Sequence, residues 1–578
     1  MRKIIRAGGN HAPQSTANRV VKHMESNWTR RTFLSAMGVT MVPRQPLLVV
    51  PQQPLFAEQP ARGTGITWTH DNAFSVNRHL PETMGPGCAF LDYDNDGWMD
   101  IFLVNSGPSD FYHPTKPPQN ALYKNNRDGT FTNVTHQAGL TGGTTFGMGV
   151  AVGDYNNDGF PDLFVTAYGR SLLYRNNGNG TFTEVSRQAG VEVDGFTTSA
   201  VWFDYDNDGL LDLFVCGFVD YSPAHRRRCG DDNQARYCIP RGLPPSSSKL
   251  FRNRGDGTFE DVTAKSGIGK TLGKSLGVVA VDFNNDGHMD LFVANDTDPN
   301  FLFRNRGDGT FEECAFPAGV ALSMDGIPRS GMGVDAADFD GDGFHDLFVA
   351  NIDREIHALY RNQGNGIFFE ESMKHDIARA TYPLSGWGLK FFDFDNDGTL
   401  DLIVANGHPD DRISDDRPSV THAEPLLLFR QDGRRFHNIT PLAGPAFAKH
   451  HNARGLALGD FNNDGRVDVL IGVNGGAPVL LRNQASPANN WLGLKLTGTK
   501  CNRDAIGARI TWHAARATRS MRKNAGGSYL SSHDPRVVLG LGQATHADWV
   551  EIEWPAPSRA IQRIDNPQTR GYLNITEP

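Results

Sequence analysis

Seven stretches of this chain each place four oxygen-bearing side chains within nine residues. Each has Asp at positions 1, 5 and 9, Asp or Asn at position 3, and Gly at position 6. The first three sets are Asp92, Asp94, Asp96 and Asp100; Asp154, Asn156, Asp158 and Asp162; and Asp204, Asp206, Asp208 and Asp212. The next two are Asp282, Asn284, Asp286 and Asp290, then Asp338, Asp340, Asp342 and Asp346. The last two are Asp393, Asp395, Asp397 and Asp401, then Asp460, Asn462, Asp464 and Asp468. Carboxylates this crowded repel one another unless a cation sits among them, and an all-oxygen donor set selects a hard ion, calcium foremost. Up to seven Ca²⁺ sites are expected, with the position 7 backbone carbonyl as a further ligand.

The loop opens like an EF-hand, which needs a bidentate Glu at position 12 and helices on both sides. Position 12 is Leu103, Val165, Val215, Val293, Val349, Val404 and Ile471, apolar throughout. The residues that follow position 8 read Asp-Leu-Phe-Val or similar, which is strand composition. These are therefore loops between β-strands.

The elements that must hold the loops repeat with them. Loop starts lie 62, 50, 78, 56, 55 and 67 residues apart, a period that suits one propeller blade per loop. Within a unit, an apolar Gly-containing strand (147–152) leads into the loop, a second strand follows, and then a third (172–176). A Gly-Asn-Gly or Gly-Asp-Gly turn precedes the fourth (181–185). The aromatic residue at position 2 (Tyr93, Tyr155, Tyr205, Phe283, Phe339, Phe394, Phe461) is expected beneath each loop. The fold class that follows is all-β, a seven-bladed β-propeller over 63–485. The seventh unit has no fourth strand after Asn483, and 65–70, with its fourth-strand pattern, is expected to complete that blade.

These units resemble FG-GAP/VCBS repeats, the kind found in integrin α-subunit propellers, where the resemblance implies that the Asp-rich loop binds calcium. Residues 488–578 resemble the ASPIC/UnbV domain of cartilage-acidic-protein-like proteins. That second likeness rests on Asn490-Trp491-Leu492, on 502–508, on Gly540-Leu541-Gly542 and on 550–555. Alternating strands and Gly turns there predict a small β-sandwich-like domain. The family implies an extracytoplasmic, calcium-binding protein of adhesion or recognition.

Charge is divided unevenly. Residues 1–57 carry eight Lys/Arg against one Glu, a balance of +7 that leaves −16 of the net −9 for the remainder. Calcium would offset that acidity, so it gives no support for nucleic-acid binding. Thr29-Arg30-Arg31-Thr32-Phe33-Leu34 resembles a twin-arginine export signal, and 1–57 reads as signal and basic leader with cleavage near Phe56-Ala57. A periplasmic, cell-surface or secreted location follows as the expectation, with no membrane-spanning segment in the mature chain. Cys229 and Cys238 sit nine apart in a Pro/Gly/Ser-rich insertion and suit a local disulfide better than zinc.

Where a ligand would bind is read from loop length. From loop start to the recurring Asn (Gln431 in the sixth unit) the distances are 33, 22, 49, 23, 24, 38 and 23 residues. Units one, three and six therefore carry insertions between strands 2 and 3, at 106–119, 220–248 and 407–424, on the face opposite the acidic loops. Their side chains, among them Phe111, Tyr112, His113, Arg226, Arg227, Arg228, Tyr237, His408, Asp410, Asp411 and Arg412, are expected to be exposed. Long loops on a rigid scaffold are where binding concentrates. The expected partner is an extracytoplasmic protein or glycan. No catalytic constellation is seen: His450-His451 lack a partner at interpretable spacing, and the paired Asp are accounted for as metal ligands. A recognition module is the leading reading; a carbohydrate-binding propeller, or an enzyme processing polysaccharide or protein, are the others.

Overall fold

Each acidic loop reverses the chain because two of its residues take left-handed backbone. Position 4 has φ between +55° and +75°, and the Gly at position 6 between +79° and +96°. Asn and Gly tolerate that region where branched residues do not. The computed structural model describes residues 53–231, 234–485 and 488–578; the twin-arginine-like 29–34 lies outside them.

The strands around each loop form a four-stranded antiparallel sheet. In the second unit these are Phe146–Gly153, Asp162–Arg170, Leu172–Asn176 and Phe182–Glu184, paired in that order. Among the described residues seven such sheets occur, and their first strands pack side by side in a closed circuit. That circuit runs Cys88–Leu91, Phe146–Gly153, Asp194–Phe203, Ser275–Val281, Val334–Ala337, Gly386–Phe392, Ala453–Gly459 and back to Cys88–Leu91. The fold is an all-β propeller. Position 12 of every loop lies within or at the end of a second strand and is buried, as the apolar residue there requires.

The strand that completes the seventh sheet is Phe56–Gln59, antiparallel to Val479–Asn483. The expectation for 65–70 is corrected. That segment forms no strand; Ile66 and Trp68 instead pack in the seam with Phe131, Leu470 and Leu480. The reason is register: Phe56 lies opposite Asn483, as Phe131 lies opposite Asn125 and Phe182 opposite Asn176. Phe56 and Ala57, read from the sequence as the end of the leader, are the first residues of this strand.

Adjacent blades are tied by aromatic pairs. The position 2 ring of each loop lies 5.4–6.4 Å from the fourth-strand Phe of the next blade: Tyr93 with Phe182, Tyr155 with Phe259, Tyr205 with Phe311, Phe283 with Phe368, Phe339 with Phe436, Phe394 with Phe56, and Phe461 with Phe131.

After the seventh blade, two sheets enclose a separate apolar core of Leu492, Leu494, Ile510, Trp512, Val550 and Ile552. One sheet has Asn490–Thr497 between Val537–Gly542 and a parallel Tyr572–Thr576; the other centres on Arg509–Ala514 and Trp549–Glu553. Side chains of Arg509–Ala514 alternate between half-buried and buried, the period of a strand with one face on a core. Between these sheets, residues 524–534 leave the domain and enter the propeller's channel. Ser532 bridges to Ala89, Leu530 O accepts the Val150 N–H (3.0 Å), and the Leu530 N–H donates to Ser199 (3.1 Å). Ala525–Gly526 pairs with Val279 and Ala280, and Ser528 bridges to Val334. Ser528 Oγ accepts the Leu389 N–H (3.2 Å), and the Asp534 N–H donates to Leu458 O (2.9 Å). This one segment thus bonds to the inner strand of every blade. Tyr529 and Leu530 are fully buried there with Trp387, Met148 and Met332. Among the described residues no helix is long and apolar enough to cross a membrane.

Candidate metal centres

The loop geometry is nearly identical seven times over. Oδ1 of the position 1 Asp accepts the position 5 N–H at 2.8–3.1 Å. Its Oδ2 accepts the N–H of the Gly at position 6, at 2.7–3.1 Å. The position 9 Asp is clamped from two sides. Oδ2 accepts the position 2 N–H at 3.0–3.3 Å. Oδ1 accepts the N–H of the recurring Asn or Gln at 2.7–2.9 Å. That residue's amide then donates to the position 2 carbonyl of the preceding loop, as Asn176 does to Tyr93 (2.8 Å).

The loops with Asp at position 3 gather three carboxylates whose oxygens lie within 4.8 Å of one another. The groups are Asp92, Asp94 and Asp96; Asp204, Asp206 and Asp212; Asp338, Asp340 and Asp346; and Asp393, Asp395 and Asp401. Oδ1 of Asp94, Asp206 and Asp395 is buried without a hydrogen-bond partner, which is the arrangement a cation ligand requires. In the other three loops the position 3 amide of Asn156, Asn284 or Asn462 turns onto the position 5 Asp instead, at 2.8–3.1 Å. The donor set fits a hard cation such as calcium in the four loops with Asp at position 3, and the other three carry one fewer charge.

Burial makes these carboxylates hard to ionise. Desolvation pushes Asp100 up to about 8 and Asp346 to about 9, and raises Asp162, Asp212, Asp290, Asp401 and Asp468 well above the usual range. At position 1, Asp154 and Asp204 rise to about 7 for the same first cause. Part of the charge is met by a basic residue on the third strand: Lys124 pairs with Asp94, Arg252 with Asp206, Arg361 with Asp340 and Arg430 with Asp395. A Lys or Arg precedes the recurring Asn or Gln in every unit, a periodic signal that our reading of the loops alone missed.

The position 4 Asn, also passed over, links the loops to one another. Its amide donates to the position 6 carbonyl of the next loop in six places, at 2.7–3.2 Å, for example Asn95 to Gly159 and Asn463 to Gly97. Loop five has Gly341 at this position, so the ring of bridges has one break, between loops five and six.

The C-terminal domain covers this face. Lys495 lies 3.5 Å from Asp92, Arg503 3.7 Å from Asp154, and Arg522 3.3 Å from Asp282. Tyr572 donates to Asp460 Oδ2 (2.7 Å), and Asn489 donates to the Asp395 carbonyl (2.8 Å).

Across the propeller, the three insertions meet residues 71–86. Arg78 pairs with Asp411 (2.9 Å), Arg236 reaches Asp410 (3.4 Å), and Tyr237 donates to Glu82 (2.9 Å). His79 stacks on Phe111 at 4.4 Å. The expectation of wholesale exposure is therefore corrected. Phe111, Tyr112, Arg226, Tyr237, Asp410, Asp411 and Arg412 are half-buried, because they tie the insertions together. His408 is buried against Asp353 at 3.2 Å, while His113, Arg227 and Arg228 are exposed. Cys229 and Cys238 are joined, with Cα atoms 5.3 Å apart, and so are not free to serve as zinc ligands. His450-His451 pair with Glu424–Pro425 as a short ladder.

The pattern for FG-GAP-like repeats matches residues 92–165, 154–215, 241–293, 282–349 and 338–404, and that for ASPIC and UnbV matches 498–578. The protein is an FG-GAP-repeat propeller that ends in an ASPIC/UnbV domain. Among particular proteins it is similar to Cartilage acidic protein 1 of Xenopus tropicalis, 25% identical over 524 residues, 86% of this chain and 74% of that relative. The Homo sapiens protein of the same name is 29% identical over 342 residues, 58% of this chain and 49% of its own length, so the match spans about half of it. Of solved structures, an Agrocybe aegerita lectin that recognises non-reducing terminal N-acetylglucosamine aligns at 15% identity and TM-score 0.41, over 69% of this chain and 94% of that one. YCF48 bound to D1 peptide aligns at 10% identity and TM-score 0.40, over 77% and 100%.

Proposed function

We propose that this protein is an exported recognition or adhesion module in which calcium is structural and the insertion face meets the partner. The division of labour between the two faces carries this reading. The acidic loops are interlocked by Asn95, Asn157, Asn207, Asn285, Asn396 and Asn463, and the C-terminal domain lies over several of them. Ions held there brace the blades. The insertions serve no blade: the second and third strands pair equally well in units without them. Chain that the fold does not need, fixed by ion pairs and a disulfide, is a preorganised surface for binding.

The enzymatic reading draws less support, since the funnel it would use is filled by Tyr529 and Leu530 and the families matched are not enzyme families. The test is binding of the calcium-loaded chain to the surface of producing cells and to extracellular matrix preparations. Shortening 106–119, 220–248 and 407–424 should abolish it. Retention of binding after all three are shortened would transfer recognition to another surface.

A further inference from the structure

Blades two and three are joined by strand pairing. Arg170, Gly169 and Tyr168, at the end of blade two's second strand, pair with Asp194, Gly195 and Phe196, which open blade three's first strand. Above this pairing lies a cavity of about 720 Å³, within the roughly 300–1,000 Å³ of small-ligand sites. Its floor is the Gly169–Gly195 pair: nothing stands within 4 Å of where a Gly195 Cβ would be, so a ligand can approach the backbone.

Its walls come from extra chain. The insertion of blade one supplies Ser109 and Asp110, and that of blade three supplies Asp220, Ser222, Ser246 and Ser247. These walls are fixed in place. Tyr168 donates to Asp110 (3.0 Å), Arg226 binds both Asp110 and the Tyr168 hydroxyl, and the Arg226 guanidinium lies 5.0 Å over the Tyr221 ring. At the base, Thr145 is 7% exposed, and its Oγ1 is buried with no partner in the protein. A buried hydroxyl left unpaired is costly unless a ligand or water completes it.

We propose that this cavity binds a neutral saccharide unit, either free or within a glycan; the proposal rests on the recognition reading above and names its ligand class. Charge selects the class. Asp110 is committed to Tyr168 and Arg226, Asp220 to His225 and the Ser222 N–H, Lys249 to Asp261, and Arg170 to Glu184 and Glu192, which leaves the exposed Asp194 as the one carboxylate on the lining open to a ligand hydroxyl. What remains is hydroxyls, which donate and accept, and the Asp194 carboxylate, beside the half-buried Tyr168 ring and an open backbone floor. That set matches a polyhydroxylated ring, whose hydroxyls meet the polar wall while its C–H face lies on Tyr168 and the apolar lining.

The experiment uses the disulfide-intact full chain on an immobilised array of neutral, anionic and cationic glycans, with titration calorimetry of the corresponding free saccharides. Neutral glycans should bind. Ser247→Trp, which fills the cavity, should abolish the signal with an unchanged melting curve. Thr145→Val should weaken binding about tenfold, the loss of one hydrogen bond. If Ser247→Trp misfolds, Ser222→Trp replaces it. Binding that survives the filled cavity, or is confined to charged glycans, overturns the proposal. A blank array alongside surface binding that still depends on the insertions rejects the saccharide and leaves the recognition module standing; loss of both rejects both.

Discussion

Phe56 stands opposite Asn483 across an antiparallel pair, in the register that Phe368 keeps with Asn362. The chain upstream of blade one therefore supplies the last strand of blade seven, and Phe56, fully buried, packs on Phe392, Phe394 and Phe447. Phe56→Ala should cost about 3–5 kcal/mol and lower the calorimetric melting temperature accordingly. Deleting 53–60 should also raise hydrogen exchange at Val479–Asn483 while blade three stays protected. Unaltered melting in both variants would contradict closure by this strand.

Chelation should destabilise the protein. Carboxylate oxygens such as Asp94 Oδ1 and Asp206 Oδ1 lie buried without partners, so removing cations leaves crowded carboxylates that Lys124 and Arg252 offset only in part. Each site held at tenfold excess over its dissociation constant contributes about 1.4 kcal/mol. The melting temperature should fall sharply in excess chelator, recover with Ca²⁺ and recover poorly with Mg²⁺. A melting curve indifferent to chelator would reject a structural role for the ion.

The chelated protein should also respond to pH in a set direction. Asp100 and Asp346 ionise near 3.8 when unfolded, but burial raises them to about 8 and about 9 in the fold. Between those limits the folded state binds more protons, so stability is fully present below pH 3.8 as far as these groups are concerned and is lost as pH rises toward 8–9. Denaturant midpoints of the chelated chain should therefore be higher at pH 5.5 than at pH 8. Calcium should bind more weakly at the lower pH, because protons compete for the same oxygens.

Gly341→Asn should stabilise. Gly341 has φ +75°, a conformation Asn accepts, and the new amide would close the one break in the ring of loop bridges by reaching toward Gly398. A gain of about 0.5–1.5 kcal/mol is expected for one hydrogen bond, read as a rise in melting temperature. Asn285→Gly, which opens a second break, should act in the opposite sense.

The loops, the sheets and the sites of insertion were legible because each repeats, and repetition separates signal from accident. The closing strand was misplaced although its signature was present: Phe56-Ala57-Glu58 has the pattern of Phe182-Thr183-Glu184 and Phe311-Glu312-Glu313. It stands apart from its third strand by most of the chain, and proximity in sequence favoured 65–70. Residues 524–534 carried no comparable sign. Ala525, Gly526, Ser528 and Ser531 are small, have no strand periodicity and appear once, so only the channel around them gives them a role. The charged insertion residues misled for a related reason: Arg226 and Asp410 look like solvent-facing groups until their partners on other blades are known.

The segment that enters the channel also bears on how such a molecule comes into being. A ribosome finishes all seven sheets before it makes residues 524–534, so nascent blades have neither their central pin nor their lid. The strand that closes the circle also waits, since Phe56–Gln59 is made early and its partner Val479–Asn483 comes last among the blades. The two latches come from upstream of the first blade and downstream of the seventh, and no blade reaches its final contacts until synthesis has passed both.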